Sequence, residues 1–469
     1  MSQVVIIGGG ISGLSVAFRL QQLAPHADVT VLEERDRVGG NAWTERHDGF
    51  QVEIGPNGFL DNKPGTVQLC RDLGLAERLL PASETAGKNR YLFLDGRLRR
   101  LPAGFADFLK SDLLSWRAKA SLLWERFRRN RPEQPDETID AFARRRAGPE
   151  AAEVFADAFV TGIHGGDPAL LSARAAFPRL AALEAEHGSV LKGLAASAKQ
   201  RRAEAQARGE AYRRAGKMWS FREGLRLLVE TLRDRLKRPP LVGVAVKRLE
   251  RPANGRPGWL VRGEGADQWP ADAVILACPA YRQAAILGDL DAELAEQIAG
   301  IAYNRIAVVA LGFRAADLPR PPDGFGYIAP QRTRRDLLGV QWCSTIFPDR
   351  APQGMVLLRA LCGGWHRAEV VDWDDARLSA AVRAELQLAQ GISAAPVFQR
   401  IVRWDRAIPQ YLVGHLDRVA WIEARTACHP GLFLTGNAYR GVALNDCTEQ
   451  GQIIAEQVRR SLAAVDRRS

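Results

Sequence analysis

The chain has few of the residues that build metal centres and disulfide frameworks: six cysteines and seven histidines in 469 residues. Cys70, Cys278, Cys343, Cys362, Cys428 and Cys447 contain no C-x-x-C pair and lie far apart in sequence. That spacing excludes a zinc ribbon or a disulfide scaffold and leaves buried free thiols as the expectation. The histidines show no H-E-x-x-H or other tight ligand spacing, so no metal is expected. No apolar run reaches the roughly 20 residues of a membrane-spanning helix. Met1-Ser2-Gln3 leads straight into an apolar strand-like run, without a charged n-region and a long h-region, so no signal peptide is expected. The expectation is therefore a cytoplasmic chain, with peripheral contact at the inner face of a membrane left open. Tandem repeats and low-complexity tails are also lacking.

What is there is a globular composition, 46% hydrophobic and 25% charged, over a length that calls for two or three subdomains. The formal charge is +11 and the pI about 9.6. Such a balance suits nucleic acid, an anionic membrane or an anionic small molecule. No zinc finger or RNP-type motif is present, so nucleic acid is not expected as a partner. The basic charge is concentrated. Residues 110–131 hold seven basic and two acidic side chains, and residues 187–217 eight and two.

Residues 4–7 (VVII) are short, apolar and β-branched, as in a buried parallel strand. Gly8-Gly9-Gly10-Ile11-Ser12-Gly13 follows at once and fits G-x-G-x-x-G. Residues 14–23 predict a helix with Leu14, Ala17 and Phe18 on one face, and residues 28–32 (DVTVL) a second strand closed by Glu33. Gly8 permits the tight turn and Gly10 lets the backbone approach a pyrophosphate. Gly13 lets helix and strand pack closely, and the helix start, with Ile11 and Ser12, offers partial positive charge. Glu33 stands 20 positions after Gly13, where an acid holds ribose hydroxyls, which favours FAD or NAD over NADP.

Residues 32–40 (LEERDRVGG) extend this unit through Glu33, Glu34, Arg35, Gly39 and Gly40, with Asn41 and Thr44 beyond. The segment resembles the extension of the amine-oxidase-like FAD superfamily, and the resemblance selects non-covalent FAD. That superfamily often carries a basic residue after Gly-Gly; here it is Asn41. Residues 432–437 (LFLTGN) read as a strand and a turn ending in Gly436 and Asn437. Gly441-Val442-Ala443-Leu444 then opens a helix predicted to run to residue 460. The resemblance places that helix start near the flavin ring and ribityl chain, where its N–H groups would favour a reduced, anionic flavin.

Six further segments narrow the family. They are Gly55-Pro56-Asn57-Gly58-Phe59; Asn89-Arg90-Tyr91-Leu92-Phe93 with Leu101-Pro102; Gly162-Ile163-His164-Gly165-Gly166-Asp167-Pro168 with Leu171-Ser172 and Ala176-Phe177-Pro178; Trp219-Ser220-Phe221 with Gly224-Leu225; Ile408-Pro409-Gln410-Tyr411 with Gly414-His415; and 441–447 (GVALNDC). In this order they resemble the oxygen-dependent protoporphyrinogen oxidase family over nearly the whole chain.

The resemblance implies three-cycle oxidation of protoporphyrinogen IX to protoporphyrin IX, each cycle moving a hydride to FAD, with molecular oxygen as acceptor. It implies that Arg90 binds a propionate, that the Gly162 carbonyl faces the macrocycle, and that Phe325, Gly326, Ile328 and Leu361 line it. Gly55, Pro56 and Asn57 would lie beside the flavin and Val246 at the adenine end. No catalytic side chain is expected, and no essential histidine, because the cofactor performs the difficult step. The flavin face is expected to be apolar, since hydride loss leaves a cation that a buried lysine or arginine would disfavour.

The expected architecture is an α/β FAD-binding Rossmann-type domain, discontinuous in sequence, with an α+β substrate domain and a helical membrane-contacting domain. FAD-binding portions are expected at 1–75, 219–285 and 415–469, substrate portions at 76–100 and 286–414, and the helical domain at 101–218. Residues 110–131 predict a basic amphipathic helix in which Trp116, Trp124 and Phe127 suit a membrane interface. Residues 192–217 are expected as a solvated basic helix or loop. A homodimer is compatible with the resemblance. The alternatives are coproporphyrinogen III oxidation to coproporphyrin III on the same fold, a flavin amine oxidase or carotenoid desaturase, and a flavin-free Rossmann-like binding protein.

Overall fold

The computed structural model describes residues 2–128, 136–207, 209, 216–252 and 258–466. Two β-sheets organise it. The first has five parallel strands in the order Leu241–Val242, Asp28–Glu33, Gln3–Ile7, Ala273–Leu276, Leu432–Leu434. Three distant stretches of chain thus contribute to one sheet. Both faces of the central strand are covered. Val4 and Ile6 pack on Val16, Leu20, Ala455 and Val458, while Val5 and Ile7 face Trp259, Leu287 and Ile298. Burial on both sides is why residues 4–7 are apolar throughout rather than alternating.

The second sheet has seven strands in the order Phe398–Trp404, Arg305–Arg314, Met355–Gly364, Leu337–Trp342, Gly326–Ile328, Tyr91–Leu94, Arg97–Arg100. It is antiparallel except where Gly326–Ile328 runs parallel to Tyr91–Leu94. One face carries Val309, Leu311, Leu358 and Ala360 against Leu378, Val382 and Leu386 of the helix Asp375–Gln390. The other face turns Val308 and Leu361 toward the cleft described below. Between residues 105 and 207 the named elements are all helical.

Boundaries differ from expectation in three places. The first helix spans Ile11–Leu23, three residues earlier than its apolar face suggests. The closing helix spans Leu444–Asp466, so residues 441–443 form the turn before it. The expected amphipathic helix at 110–131 is broken into Phe105–Lys110, Trp116–Leu123 and the single 3-10 turn Trp124–Phe127, with part of its basic end outside the described residues. The break has a local cause: Ser115 Oγ accepts from the Ala118 N–H at 3.2 Å and restarts the helix as an N-cap. Lys119 is not on a solvated face. It is buried, and its ammonium donates to the carbonyls of Leu109 (2.8 Å) and Ser111 (2.6 Å). The second basic stretch opens with the helix Val190–Ala207, and its remainder lies largely outside the described residues.

Candidate active-site cleft

The cleft begins at the carboxyl ends of the parallel strands, where a doubly wound sheet binds its ligand. Gly13 sits so close to the first strand that a Cβ there would stand 2.0 Å from the Gly8 carbonyl oxygen. Gly10, in contrast, has open space where a side chain would point. One glycine therefore packs the helix on the strand and the other leaves backbone accessible to a ligand. Glu33 ends the second strand. Its Oε2 accepts from the Gly9 N–H at 2.7 Å and its Oε1 from the Arg35 N–H at 3.0 Å. Each oxygen keeps a lone pair for a further donor. The Gly39 N–H donates to the Gly9 carbonyl at 2.8 Å and ties the glycine pair to the fingerprint turn.

From there one cleft of about 1700 Å³ runs across the molecule. Of the residues expected at the cofactor, it is lined by Gly8, Gly10, Ile11, Ser12, Glu33, Glu34, Arg35, Gly39, Gly40, Asn41, Gly55, Pro56, Asn57, Val246, Gly436, Asn437 and 441–444. The structure therefore gathers the N-terminal, central and C-terminal segments around one space. Gly13 lies behind the wall, as its packing requires. Thr44 is a departure: it is fully buried away from the cleft, donating to Glu53 Oε2 at 2.9 Å and accepting from the Arg226 N–H at 3.1 Å. Its hydroxyl is already committed on both sides.

The residues expected at the substrate divide. Gly162 and Leu361 line the cleft; Arg90, Phe325, Gly326 and Ile328 do not. The Ile328 side chain stands one layer back, since a Cβ at Gly162 would meet its Cδ1 at 2.6 Å. Phe325 packs with Ala82, Phe347 and Met218, and Arg90 lies exposed with its guanidinium 5.1 Å from the Phe325 ring centre. Gly326 is buried, paired with Gln341, and a Cβ there would stand 2.0 Å from the Val340 carbonyl oxygen. Strand alternation accounts for the shift: within Gly326–Ile328, Tyr327 enters one core and Ile328 the other.

Sequence reasoning missed most of the cleft beyond the cradle. Beyond the dinucleotide cradle the cleft opens into an apolar lobe within the helical region, walled by Phe142, Phe155, Phe159, Leu180, Leu191 and Leu194. Arg174 and Arg179 line this side and make no ion pair with a described residue. Arg359 is a further surprise. It is buried in the wall beside the Gly55 loop, its guanidinium donating to the Gly55 carbonyl and, at 2.8 Å, to Gln341 Oε1. The cleft wall thus carries a buried charge at this point. Burial lowers the pKa of Arg359, yet a guanidinium stays charged. A lone charge inside the apolar run M-V-L-L-R-A-L-C was the available signal.

Two observations test the cradle against FAD. The Asn57 side chain is buried in the wall, and neither its oxygen nor its nitrogen has a hydrogen-bond partner. An orphaned amide suits a heterocycle edged with donors and acceptors. At the other end, Glu33 and the open side of Gly10 suit ribose hydroxyls and a pyrophosphate. The residues fit the cofactor.

The family model for flavin containing amine oxidoreductases matches residues 11–459. The chain belongs to this family. Within it, the chain is 30% identical to the coproporphyrinogen III oxidase of Bacillus subtilis (strain 168) over 96% of each chain. It is 31% identical to the chloroplastic protoporphyrinogen oxidase of Nicotiana tabacum over 97% of this chain and 85% of that one. The protoporphyrinogen oxidase of Homo sapiens is 32% identical over 97% of this chain and 98% of its own. Among solved structures, a protein from Exiguobacterium sp. 255-15 provisionally assigned as a protoporphyrinogen oxidase shares the fold. Its TM-score is 0.81 at 24% identity, over 98% of both chains. Cyclohexylamine oxidase from Brevibacterium oxydans shares it at a TM-score of 0.69 and 17% identity, over 98% of this chain and 99% of that one. The flavin-containing family accounts for the cradle, and the mixed α/β sheets are those of its fold.

Proposed function

We propose that this flavoprotein oxidises a porphyrinogen to the corresponding porphyrin, with molecular oxygen as the final acceptor. Protoporphyrinogen IX is the first reading. The observation that carries it is the continuity of the cleft. Ordinary ligand pockets measure roughly 300–1000 Å³, whereas this one, at about 1700 Å³, has room for FAD and a second, flat, apolar ligand. The names of the relatives support the same substrate class.

Bound in the cradle, the flavin supplies a two-electron hydride acceptor. The chain's residues supply the rest. Glu33 holds the ribose, the turn at Gly10–Gly13 and the Gly39-Gly40 pair meet the pyrophosphate, Val246 meets the adenine end, and Asn57 and residues 441–444 orient the ring. The apolar lobe excludes water and stacks the macrocycle. Arg174 and Arg179 favour a second reading, coproporphyrinogen III, because unpaired guanidinium groups suit its additional carboxylate arms.

The three stretches 1–75, 219–285 and 415–469 act as one FAD-binding unit in this reading, with 76–100 and 286–414 as the substrate unit. Peripheral membrane contact is assigned to the helical region. Trp116, Trp124 and Phe127 are 71%, 65% and 58% exposed, with Arg117 and Arg126 beside them. Such a cluster suits the headgroup boundary of an anionic bilayer. No helix among the described residues is long and apolar enough to cross a membrane.

The test is porphyrin fluorescence in air, with FAD-loaded protein and each porphyrinogen separately, corrected for spontaneous oxidation. A faster rise with protoporphyrinogen supports the first reading and a faster rise with coproporphyrinogen the second. No acceleration with either, in protein that holds FAD, rejects both.

A further inference from the structure

Arg359 and Gln341 are direct partners across two neighbouring strands of the seven-stranded sheet. Strand alternation turns both to the cleft face, in the row beside Val308 and Leu361, while Leu358, Ala360 and Val340 enter the opposite core. Two polar side chains therefore interrupt an apolar face. The Arg359 guanidinium donates to Gln341 Oε1 at 2.8 Å and to the Gly55 carbonyl. Both acceptors are neutral.

Arg359 makes no ion pair with a described residue. The buried acid of this wall, Glu53, is already committed. It accepts from Thr44 Oγ1 at 2.9 Å and from the Leu225 N–H at 3.0 Å, and it lies 3.5 Å from Arg350 Nη2. The Cys343 thiol nearby is pushed up to about 11 by burial and stays neutral. Two buried guanidinium groups, Arg350 and Arg359, thus share one carboxylate. Buried charges are ordinarily paired, and a guanidinium does not shed its proton. The excess positive charge calls for an anion in the cleft.

The pyrophosphate has its own seat at the fingerprint turn and the Gly39-Gly40 pair. Arg359 belongs to the other sheet, and its anchor Gly55 stands two residues from Asn57, whose orphaned amide suits the ring edge. We propose that Arg359 is the counter-charge of the reduced flavin ring and raises its reduction potential, with Gln341 holding the guanidinium in place. The inference rests on FAD in the cradle and not on the choice of porphyrinogen. A hydride delivers two electrons and one proton, so the neutral oxidised ring gains one negative charge, and the substrate that releases the hydride gains one positive charge. A fixed guanidinium in a buried wall stabilises the new anion more than water would, and it needs no rearrangement at the moment of transfer. The same charge disfavours the substrate cation, so it must lie nearer the ring. Its anchor keeps it on that side: Gly55 packs so closely on Asn41, next to the glycine pair, that a Cβ would overlap the Asn41 carbonyl.

The test uses the full chain loaded with FAD. Arg359→Gln removes the charge and keeps a hydrogen-bonding side chain. Equilibration with redox dyes should show its midpoint potential lower by about 30 mV or more, which in a two-electron couple is about a tenfold loss of affinity for reduced relative to oxidised FAD. Sulfite, which adds to the flavin ring and leaves it negatively charged, should bind Arg359→Gln more weakly by a similar factor. Arg359→Lys keeps the charge and should stay near the wild type in both measurements. Gln341→Glu gives Arg359 a carboxylate partner and should lower both as Arg359→Gln does, which keeps the test open should Arg359→Gln lose its flavin. An anchor of the Gly55 loop alone would weaken oxidised and reduced FAD alike. An unmoved potential and sulfite affinity in flavin-bearing Arg359→Gln or Gln341→Glu therefore overturns the proposal, as does loss of flavin from both. None of these readouts uses porphyrinogen, so a wild type that oxidises neither porphyrinogen overturns the proposed function and leaves the role of Arg359 standing.

Discussion

Lys63 and Asp446 join two segments distant in sequence in the wall of the cleft, with Nζ 2.5 Å from Oδ1. The other carboxylate oxygen, Oδ2, accepts from the Ala443 N–H at 3.0 Å, at the start of the closing helix. Asp446 thus caps the helix whose start lines the cleft and is itself held by Lys63. Asp446→Ala should cost about 1 kcal/mol of stability through the lost cap. FAD should dissociate faster, as read by flavin fluorescence on dilution. Lys63 is half exposed, so a double-mutant cycle should return less than about 1 kcal/mol for the pair itself.

Glu33→Ala should weaken FAD binding about tenfold or more, since hydrogen bonds to a charged acceptor are worth about 1.5–3 kcal/mol. It also strips the Gly9 N–H of its buried partner, so stability should fall as well. Titration of apoprotein with FAD checks the first effect and thermal melts the second. Full flavin affinity would remove Glu33 from the ribose.

Gly13→Ala should be worse than an ordinary overpacking change of about 1–3 kcal/mol. The new methyl would meet a carbonyl oxygen at 2.0 Å, not a yielding side chain. The variant should purify without flavin or not fold, and absorbance near 450 nm relative to 280 nm reads this directly.

Arg90, Arg174 and Arg179 make opposed predictions about the carboxylate arms. The first stands outside the cleft and the other two line it. Arg174→Ala and Arg179→Ala should each raise the Michaelis constant for porphyrinogen with little change in kcat, the signature of lost uniform binding. Arg90→Ala should leave it nearly unchanged. A large rise in Arg90→Ala alone would return the propionate to the position suggested by the sequence motif.

His164 predicts how stability varies with pH. Burial holds its folded pKa near 4 against an ordinary 6.5, so the unfolded chain binds the proton more tightly. Stability from this group is complete above pH 6.5, declines as pH falls toward 4, and is flat below. The total is roughly 3 kcal/mol at 1.36 kcal/mol per pKa unit. Urea melts between pH 4 and 7 should show that slope, and His164→Phe should lack it.

The cradle was legible in the sequence because its parts are local. Gly8 to Gly13, Glu33 and Gly39-Gly40 act through backbone shape over a few tens of residues, and spacing alone expresses that. The apolar lobe of the cleft was not legible for the opposite reason. Phe142, Phe159 and Leu194 come from separate helices, and helical periodicity cannot say which apolar face meets a cavity rather than a core. Ile328 failed because strand alternation fixes two faces without naming which is nearer the ligand. The 110–131 helix failed because Ser115 is equally ordinary as a surface residue or as a cap.

The five-stranded sheet carries a consequence for synthesis. Its fifth strand, Leu432–Leu434, and the turn and helix start at 436–444 complete the wall of the cradle. During translation the glycine fingerprint is made more than 400 residues before this wall. A nascent chain therefore has half a grip on its cofactor for most of its time on the ribosome. Flavin loading should therefore wait for the fifth strand, and a truncation before residue 432 should yield colourless protein however well its first βαβ unit has formed.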